Sequence, residues 1–507
     1  MSSGPEEIAA SEIEAAPADP SPFVAPSSIS PHPEGIRRQT IEFLIILGIG
    51  ILLLRTFAAE AYVVPTGSMA PTLLGYHKEM TCSNCRFPFV LGMDDEGRIG
   101  RPVCPNCGKD GLGDLPAVEC NGDRLLVQKF LFDVRRPRRW EVAVFQSPSE
   151  PDQAYVKRVV GLPGETIQVF DGDVYIDGKI ARKSLSEQRA MRLLVFDNDY
   201  VPDDANRFPR WRFRVEKKGR IGASGWKAEG TGFHHDAHFP VKTSPIAPDP
   251  IDWLEYRHYD PDRSKFGPIR DFCPYNGGDV RGDNLVRDLM IEADVSARPD
   301  LKSLLIRLDH GADHFLVTIP VDDQGRLEVL RNGHVLDLTR TRGGLKSSAP
   351  DSPRFQRLEV STIDRRLTVA LDDVPLFDPV DFERNKAVDY GMPGSPLGLG
   401  VPGGSVEVRR VRVYRDLYYT GSLALGPRRP FAVDVPYVLG PYDYFVLGDN
   451  SPVSNDSRFW ESSPVVKGDR FLGKPFLVHL PGQVCALKVF GRPLGWIPDP
   501  REIRYIR

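Results

Sequence analysis

Two residues in this chain could do nucleophilic chemistry together. Ser68 lies in the extended stretch AYVVPTGSMAPTLLG, and Lys157 lies in AYVKRVVGLPGE. A hydroxyl is a weak nucleophile at neutral pH and needs a base to take its proton. A lysine serves as that base only when neutral, which requires an apolar surround that disfavours the ammonium. Val156, Val159 and Val160 flank Lys157 in that sense. On a strand, Lys157 and Val159 share one face, and Arg158 points to the other, where it is expected to stay solvated. Taken singly neither residue is informative: strand lysines are usually solvated, and Thr-Gly-Ser is an ordinary turn. Their neighbours give them meaning.

A second constellation is made of cysteines. Cys82, Cys85, Cys104 and Cys107 are spaced C-x2-C-x18-C-x2-C. Two such knuckles offer four thiolates to one zinc ion, closing a structural site that leaves no position open for catalysis. Disulfide or redox chemistry is the competing reading if the segment lies in an oxidising compartment. Cys120, Cys273 and Cys485 are scattered and read as small buried apolar residues. His234-His235-Asp236-Ala237-His238 has a metal-like composition but reads as an exposed loop.

The elements that must position these groups are mostly strands. The chain has 507 residues, 46 Gly, 46 Pro and a formal charge of −4 with no long basic stripe, so nucleic acid is excluded as the main partner. Residues 1–35 are acidic and rich in Pro, Ser and Ala, and read as a disordered tail. An apolar run from Phe43 to Leu54, extended through Ala61, reaches the roughly 20 residues of a membrane span. A transmembrane anchor is therefore expected over 36–62. Arg37 and Arg38 precede it, which favours a cytoplasmic N-terminus and a catalytic body on the exoplasmic side.

Past the anchor, β-like runs such as DRLLVQKFLF, WEVAVF and ETIQVFDGDVYIDGKI predict an antiparallel body over 63–180, interrupted by the cysteine segment at 76–119. From 181 to 425, strands with repeated polar turns predict a β-sandwich inserted into one domain, which closes over 426–507. Arg-Asn-Gly-His at 331–334 is a hairpin turn. The fold class is mainly β.

Four stretches then carry a resemblance. VVPTGSMAPTLLG, GDRLLVQKF with RWEVAVF, YVKRVVGLPGETI and FVLGDNSPVSNDSRFW resemble, in order, the boxes of the type I (leader) signal peptidases, and cover roughly 120 of 507 residues. The resemblance implies a membrane-bound serine endopeptidase at the cell membrane that removes signal peptides from secretory preproteins without a catalytic cofactor. It implies Ser68 as nucleophile, Lys157 as general base, and the Ser68 N–H with the Thr66 hydroxyl as oxyanion hole. It further implies Ser454 orienting the lysine, Asp456 and Arg458 supporting that loop, and Met69 beside the cleavage site. One departure stands out: Trp140-Glu141 replaces the family's usual Gly-Asp, a loop change expected to lie away from the chemistry.

The cysteine segment is an addition to that family's pattern, as is the sandwich, which resembles laminin-G or concanavalin-like modules. A glycan or a protein is an open expectation for its partner, and fold analogy alone assigns neither. The alternative is a membrane-tethered binding protein on an inactive peptidase scaffold, with the sandwich as its working part.

Overall fold

A computed structural model describes residues 33–53, 59–94, 96–113, 115–203, 209–216, 224–236, 251–322, 324–383, 394–422, 424, 430–461, 463–489 and 492–506. The chain forms two units, Met1–Thr56 and Phe57–Arg507. Most of the tail expected to be disordered lies outside the described residues.

The first unit contributes one helix, Pro33–Leu53. Seven large apolar side chains on it, from Ile41 to Ile49, are exposed within the chain. No described helix is long and apolar enough to cross a membrane. The expected anchor boundary at Tyr62 is also corrected, because Ala59–Val63 is a strand. It pairs residue for residue with Arg124–Gln128, Tyr62 opposite Leu125, which commits the end of the apolar segment to the second unit's sheet.

The second unit is mainly β, with short helices at Leu131–Val134 and Leu185–Met191. One antiparallel sheet runs in the order Ala59–Val63, Arg124–Gln128, Phe471–Leu480, Val142–Gln146, Ala154–Gly161, Asp443–Leu447, Val466–Lys467. Strands from both ends of the sequence therefore interleave, as an insertion into one domain requires. Leu125, Val127, Val142 and Val144 pack against Val64, Met69 and Leu73 to form the core under the serine segment. The alternating buried side chains of Arg124–Gln128 show the period of two that such a sheet face imposes.

The cysteine segment folds on a three-stranded sheet of His77–Thr81, Pro88–Gly92 and Val118–Cys120. Each knuckle turns through a left-handed residue after its second cysteine, Arg86 and Gly108. Asn106, inside the second knuckle, donates to the carbonyls of Asp197 and Tyr200, which ties the segment to the insertion.

The insertion is two facing antiparallel sheets. One centres on Leu289–Ala297, Val406–Arg415 and Gln356–Ser361, the other on Ser303–His310, Asp313–Pro320 and Leu397–Val401. Ile291, Val360 and Val408 from the first meet Ile306, Phe315 and Leu399 from the second in one core. The turn at 331–334 has Asn332 and Gly333 both left-handed, the backbone a two-residue hairpin needs. His234 and His235 sit on the strand Gly232–His235, so the expected exposed loop is corrected. His235 is buried between the Gly404 carbonyl and Asp252, and His238 lies outside the described residues.

Candidate active site

Ser68 sits in a single helical turn, Gly67–Met69, that follows the edge strand of the catalytic sheet. Lys157 is midway along Ala154–Gly161, opposite Ala143. The Lys157 Nζ donates to Ser68 Oγ at 2.6 Å. The lysine is 4% exposed, and burial drives its pKa down to about 8, partly opposed by Asp456 and Asp449. Dehydration disfavours the ammonium more than the amine, so the geometry and the environment both suit a proton acceptor.

The two carboxylates whose charge acts on the lysine are occupied elsewhere. Asp449 takes a bidentate pair from Arg158, at 2.8 and 2.5 Å, and a hydrogen bond from Thr72 Oγ1. Asp456 takes a second bidentate pair from Arg458, at 2.9 and 2.7 Å, and also accepts from the Gly448 N–H. All four side chains are buried. Arg158 was expected to be solvated on the far face of its strand; it is buried because Asp449 waits there. Strand periodicity tells which way a side chain points, not what it meets.

Trp140 also lies closer to the site than expected. Its backbone is left-handed, and its carbonyl accepts from Arg158 Nη1 at 2.7 Å. That places it one residue and one hydrogen bond from Lys157. A left-handed φ is unfavourable for a bulky residue and free for glycine, which accounts for the glycine usual in the resembling family.

Ser454 is fully buried, and among the described residues its hydroxyl has no hydrogen-bond partner, so the expected bond to Lys157 is not formed here. A β-carbon at Gly448 would overlap both the Ser454 hydroxyl and the Ser68 carbonyl. Thr66 is exposed and, with Ser68, Lys157 and Tyr155, lines a cleft of about 750 Å³. Met69 is fully buried in the core beneath the turn and does not line the cleft, a correction to its expected place beside the cleavage site. A side chain that follows the nucleophile in a tight turn is directed inward, where Leu73 and Val127 receive it.

The four zinc-spaced cysteines gather as their spacing predicts. Their sulfurs lie within 4.8 Å of one another, with Cys82–Cys107 and Cys85–Cys104 each 3.6 Å apart. All seven cysteines are free thiols. A tetrahedral zinc site with metal–sulfur bonds of about 2.3 Å has sulfur–sulfur edges of about 3.8 Å. A disulfide needs about 2.05 Å. The arrangement fits a metal, not a pair of crosslinks.

Residues missed by sequence reasoning complete the cleft. Tyr275 and Asn276 from the insertion line it together with Gly92 and Arg98 of the cysteine segment. No local motif marks them, because their partners are more than 170 residues away in sequence.

Residues 116–219 match the family model "Signal peptidase, peptidase S26", a stretch that includes Lys157 but neither Ser68 nor Ser454. The chain is 33% identical over 162 residues to signal peptidase I of Leptolyngbya laminosa, covering 30% of this chain and 54% of that protein. It is 30% identical over 140 residues to signal peptidase I of Pseudomonas fluorescens, covering 27% and 37%. The chain thus spans about half the length, or less, of the curated relatives it matches. A carbohydrate-binding module from Bacillus subtilis overlaps 40% of this chain and 94% of its own, at a TM-score of 0.23 and 11% identity. An overlap that slight assigns the insertion no ligand.

Proposed function

We propose that this chain is a membrane-attached serine endopeptidase that removes N-terminal signal peptides from exported preproteins. The observation that carries the reading is the 2.6 Å contact between a buried, dehydrated Lys157 and Ser68 Oγ at the wall of an open cleft. Sequence similarity to signal peptidases I supports the substrate class.

In this reading Ser68 Oγ attacks the scissile carbonyl while Lys157 Nζ takes its proton. The same ammonium then protonates the departing amine, and the freed lysine activates water against the acyl-enzyme. The Ser68 N–H and the Thr66 hydroxyl hold the oxyanion, a type of contact worth about 2.7–4 kcal/mol per donor. The substrate lies extended beside residues 154–156. These pair on one side with Val144, Phe145 and Gln146, while Asp443–Leu447 joins the strand only from Arg158 onward. The other edge is therefore open for an added strand.

The exposed apolar side chains of Pro33–Leu53 support attachment to a bilayer; in this reading the catalytic unit lies on the exoplasmic side. Cys82, Cys85, Cys104 and Cys107 hold a structural zinc ion whose role is to fix the fold of the segment that walls the cleft. Metal analysis of purified protein should find stoichiometric zinc, lost in Cys104→Ser.

The dyad is tested by incubating the detergent-solubilised protein with a preprotein bearing an Ala-X-Ala cleavage site. Ser68→Ala should abolish cleavage, and Lys157→Ala should lower it about 10²–10⁴-fold, the usual share of a positioned base. Wild-type rates from either variant would exclude the mechanism.

A further inference from the structure

The Gly67 carbonyl of the nucleophile turn accepts from the turn's own Ala70 N–H at 3.0 Å, and Asn450 holds the turn from behind. Its side-chain Nδ2 donates to the Gly67 carbonyl at 2.9 Å, and its backbone N–H donates to the Ser68 carbonyl at 3.0 Å. In a trans peptide the C=O and N–H point in opposite directions. Pinning the Gly67 oxygen therefore aims the Ser68 N–H, carried by the same peptide plane, to the other side. That N–H is the donor assigned above to the oxyanion.

Asn450 is in turn held by the insertion. Asn276 Nδ2 donates to Asn450 Oδ1 at 2.8 Å, and Asn450 Nδ2 donates back to Asn276 Oδ1 at 2.7 Å. The Gly67 carbonyl can only accept, so it fixes which end of the Asn450 carboxamide carries the NH2, and the reciprocal pair with Asn276 satisfies the carboxamide in that orientation. Asn276 belongs to the turn Pro274–Asp279, which is itself firmly seated. Gly278 N–H donates to the Arg101 carbonyl, and Asp279 accepts from the Arg101 N–H. Tyr275 packs its ring where β-carbons at Gly67 and Gly92 would sit, and its hydroxyl donates to the Tyr76 carbonyl. One short turn of the insertion thus touches both the serine turn and the cysteine segment.

We infer that Asn276 is a positioning residue for the nucleophile turn, acting through Asn450 to fix the peptide that carries the Ser68 N–H, with Tyr275 as the wedge that seats it. What the turn does rests on the peptidase reading; that Asn276 orders it does not. The inserted domain is then part of the reaction machinery and not an appendage to it.

Two measurements on full-length protein in detergent separate these claims, using Asn276→Ala and the isosteric Asn276→Asp. The aspartate keeps the shape but loses the donor to Asn450 Oδ1, so a loss there is not a packing effect. Amide hydrogen exchange should speed up across residues 66–70 in both variants and stay unchanged in the sandwich core. On the Ala-X-Ala preprotein, kcat should fall by about tenfold or more, with KM within about twofold, because an ill-placed donor costs transition-state and not ground-state binding. Unchanged exchange at the turn in both variants would overturn the inference, whatever the activity, and so would a loss confined to KM. Faster exchange in a protein whose wild type cleaves no preprotein would leave the positioning role standing and sink the peptidase reading alone.

Discussion

Two lysines of this chain are buried to the same depth and are driven in opposite directions. Lys157 is 4% exposed and Lys183 is 3% exposed. Lys157 titrates near 8 because burial dominates. At Lys183 burial works against the charge as well, but Asp364 and Asp416, at 2.6 and 2.8 Å, together outweigh it and hold the ammonium well above its ordinary range. Burial alone does not make a lysine a base. The region around Lys157 contains two carboxylates of its own, Asp449 and Asp456, yet each is claimed by an arginine in a bidentate pair. Among the described residues no carboxylate reaches ion-pair distance of Lys157. Arg158 and Arg458 thus do for the site what the insertion's junction lacks: they keep the acids away from the lysine. Arginine suits this task because its planar fork matches a carboxylate and it does not deprotonate.

The largest expected effect on stability lies at the junction lysine. Lys183→Met leaves Asp364 and Asp416 buried beside Asp288 with no cation between them. Removing one partner of a buried ion pair typically costs about 3–5 kcal/mol. Urea unfolding at pH 7 should show a loss of that size, while preprotein cleavage by the folded fraction changes far less. A loss below about 1 kcal/mol would mean that Lys183 is not a paired cation, and the contrast with Lys157 would fail.

The matching change at the active site should have the opposite sign. Lys157→Met removes a lysine whose folded pKa, near 8, lies about 2.5 units below its ordinary 10.5. At about 1.36 kcal/mol per unit, the wild type carries a cost of roughly 3 kcal/mol wherever the unfolded lysine is protonated and the folded one must be too. The sign follows from proton binding. Between pH 8 and 10.5 the unfolded state holds a proton that the folded state has released, so wild-type stability rises with pH there. Lys157→Met should therefore be the more stable protein at pH 7, with a gain that shrinks above pH 8 and vanishes near 10.5. Lys183, shifted upward, gives its full stabilisation below 10.5 and loses it only at still higher pH. The kinetic counterpart is an acid limb in kcat/KM near pH 8. A limb near 10.5 would show Lys157 to be as hydrated as any surface lysine.

These two lysines also measure how much could be read from sequence. Lys157 was legible because valines surround it on its own strand and a familiar box encloses it; that information is local. The cysteine quartet was legible for the same reason, since spacing within a knuckle dictates geometry. Lys183 was not singled out, because Asp364 and Asp416 come from the far side of a 9-stranded sheet's chain path. Arg158 was read as solvated for the same cause: alternation gave its face, and only the fold supplied Asp449. Asn276 is the extreme case, a residue in an unremarkable turn that meets Asn450 across 174 positions. The boundary at Tyr62 failed differently. Ala59–Val63 is apolar enough to extend a helix, and pairing with Arg124–Gln128 decides in favour of the strand.

The smallest expected effect lies at Ser454. Lys183 is held by two carboxyl groups, whereas Lys157 has a hydroxyl, and once Ser68 is acylated that hydroxyl is no longer available to it. Ser454 is placed to matter then: its hydroxyl is buried, has no partner among the described residues, and borders Gly448, as the Ser68 carbonyl does. A buried hydroxyl without a partner costs about 1–3 kcal/mol, so Ser454→Ala should leave the resting protein as stable as wild type or more so, by about 1 kcal/mol. If the hydroxyl takes over as acceptor for the lysine in the acyl-enzyme, the same variant should slow deacylation by about tenfold, the worth of one hydrogen bond of about 1.4 kcal/mol. Single-turnover cleavage would then show a normal first phase followed by accumulated acyl-enzyme. A variant that loses stability and keeps its deacylation rate would make Ser454 a packing residue, and would leave Lys157 to work with Ser68 alone.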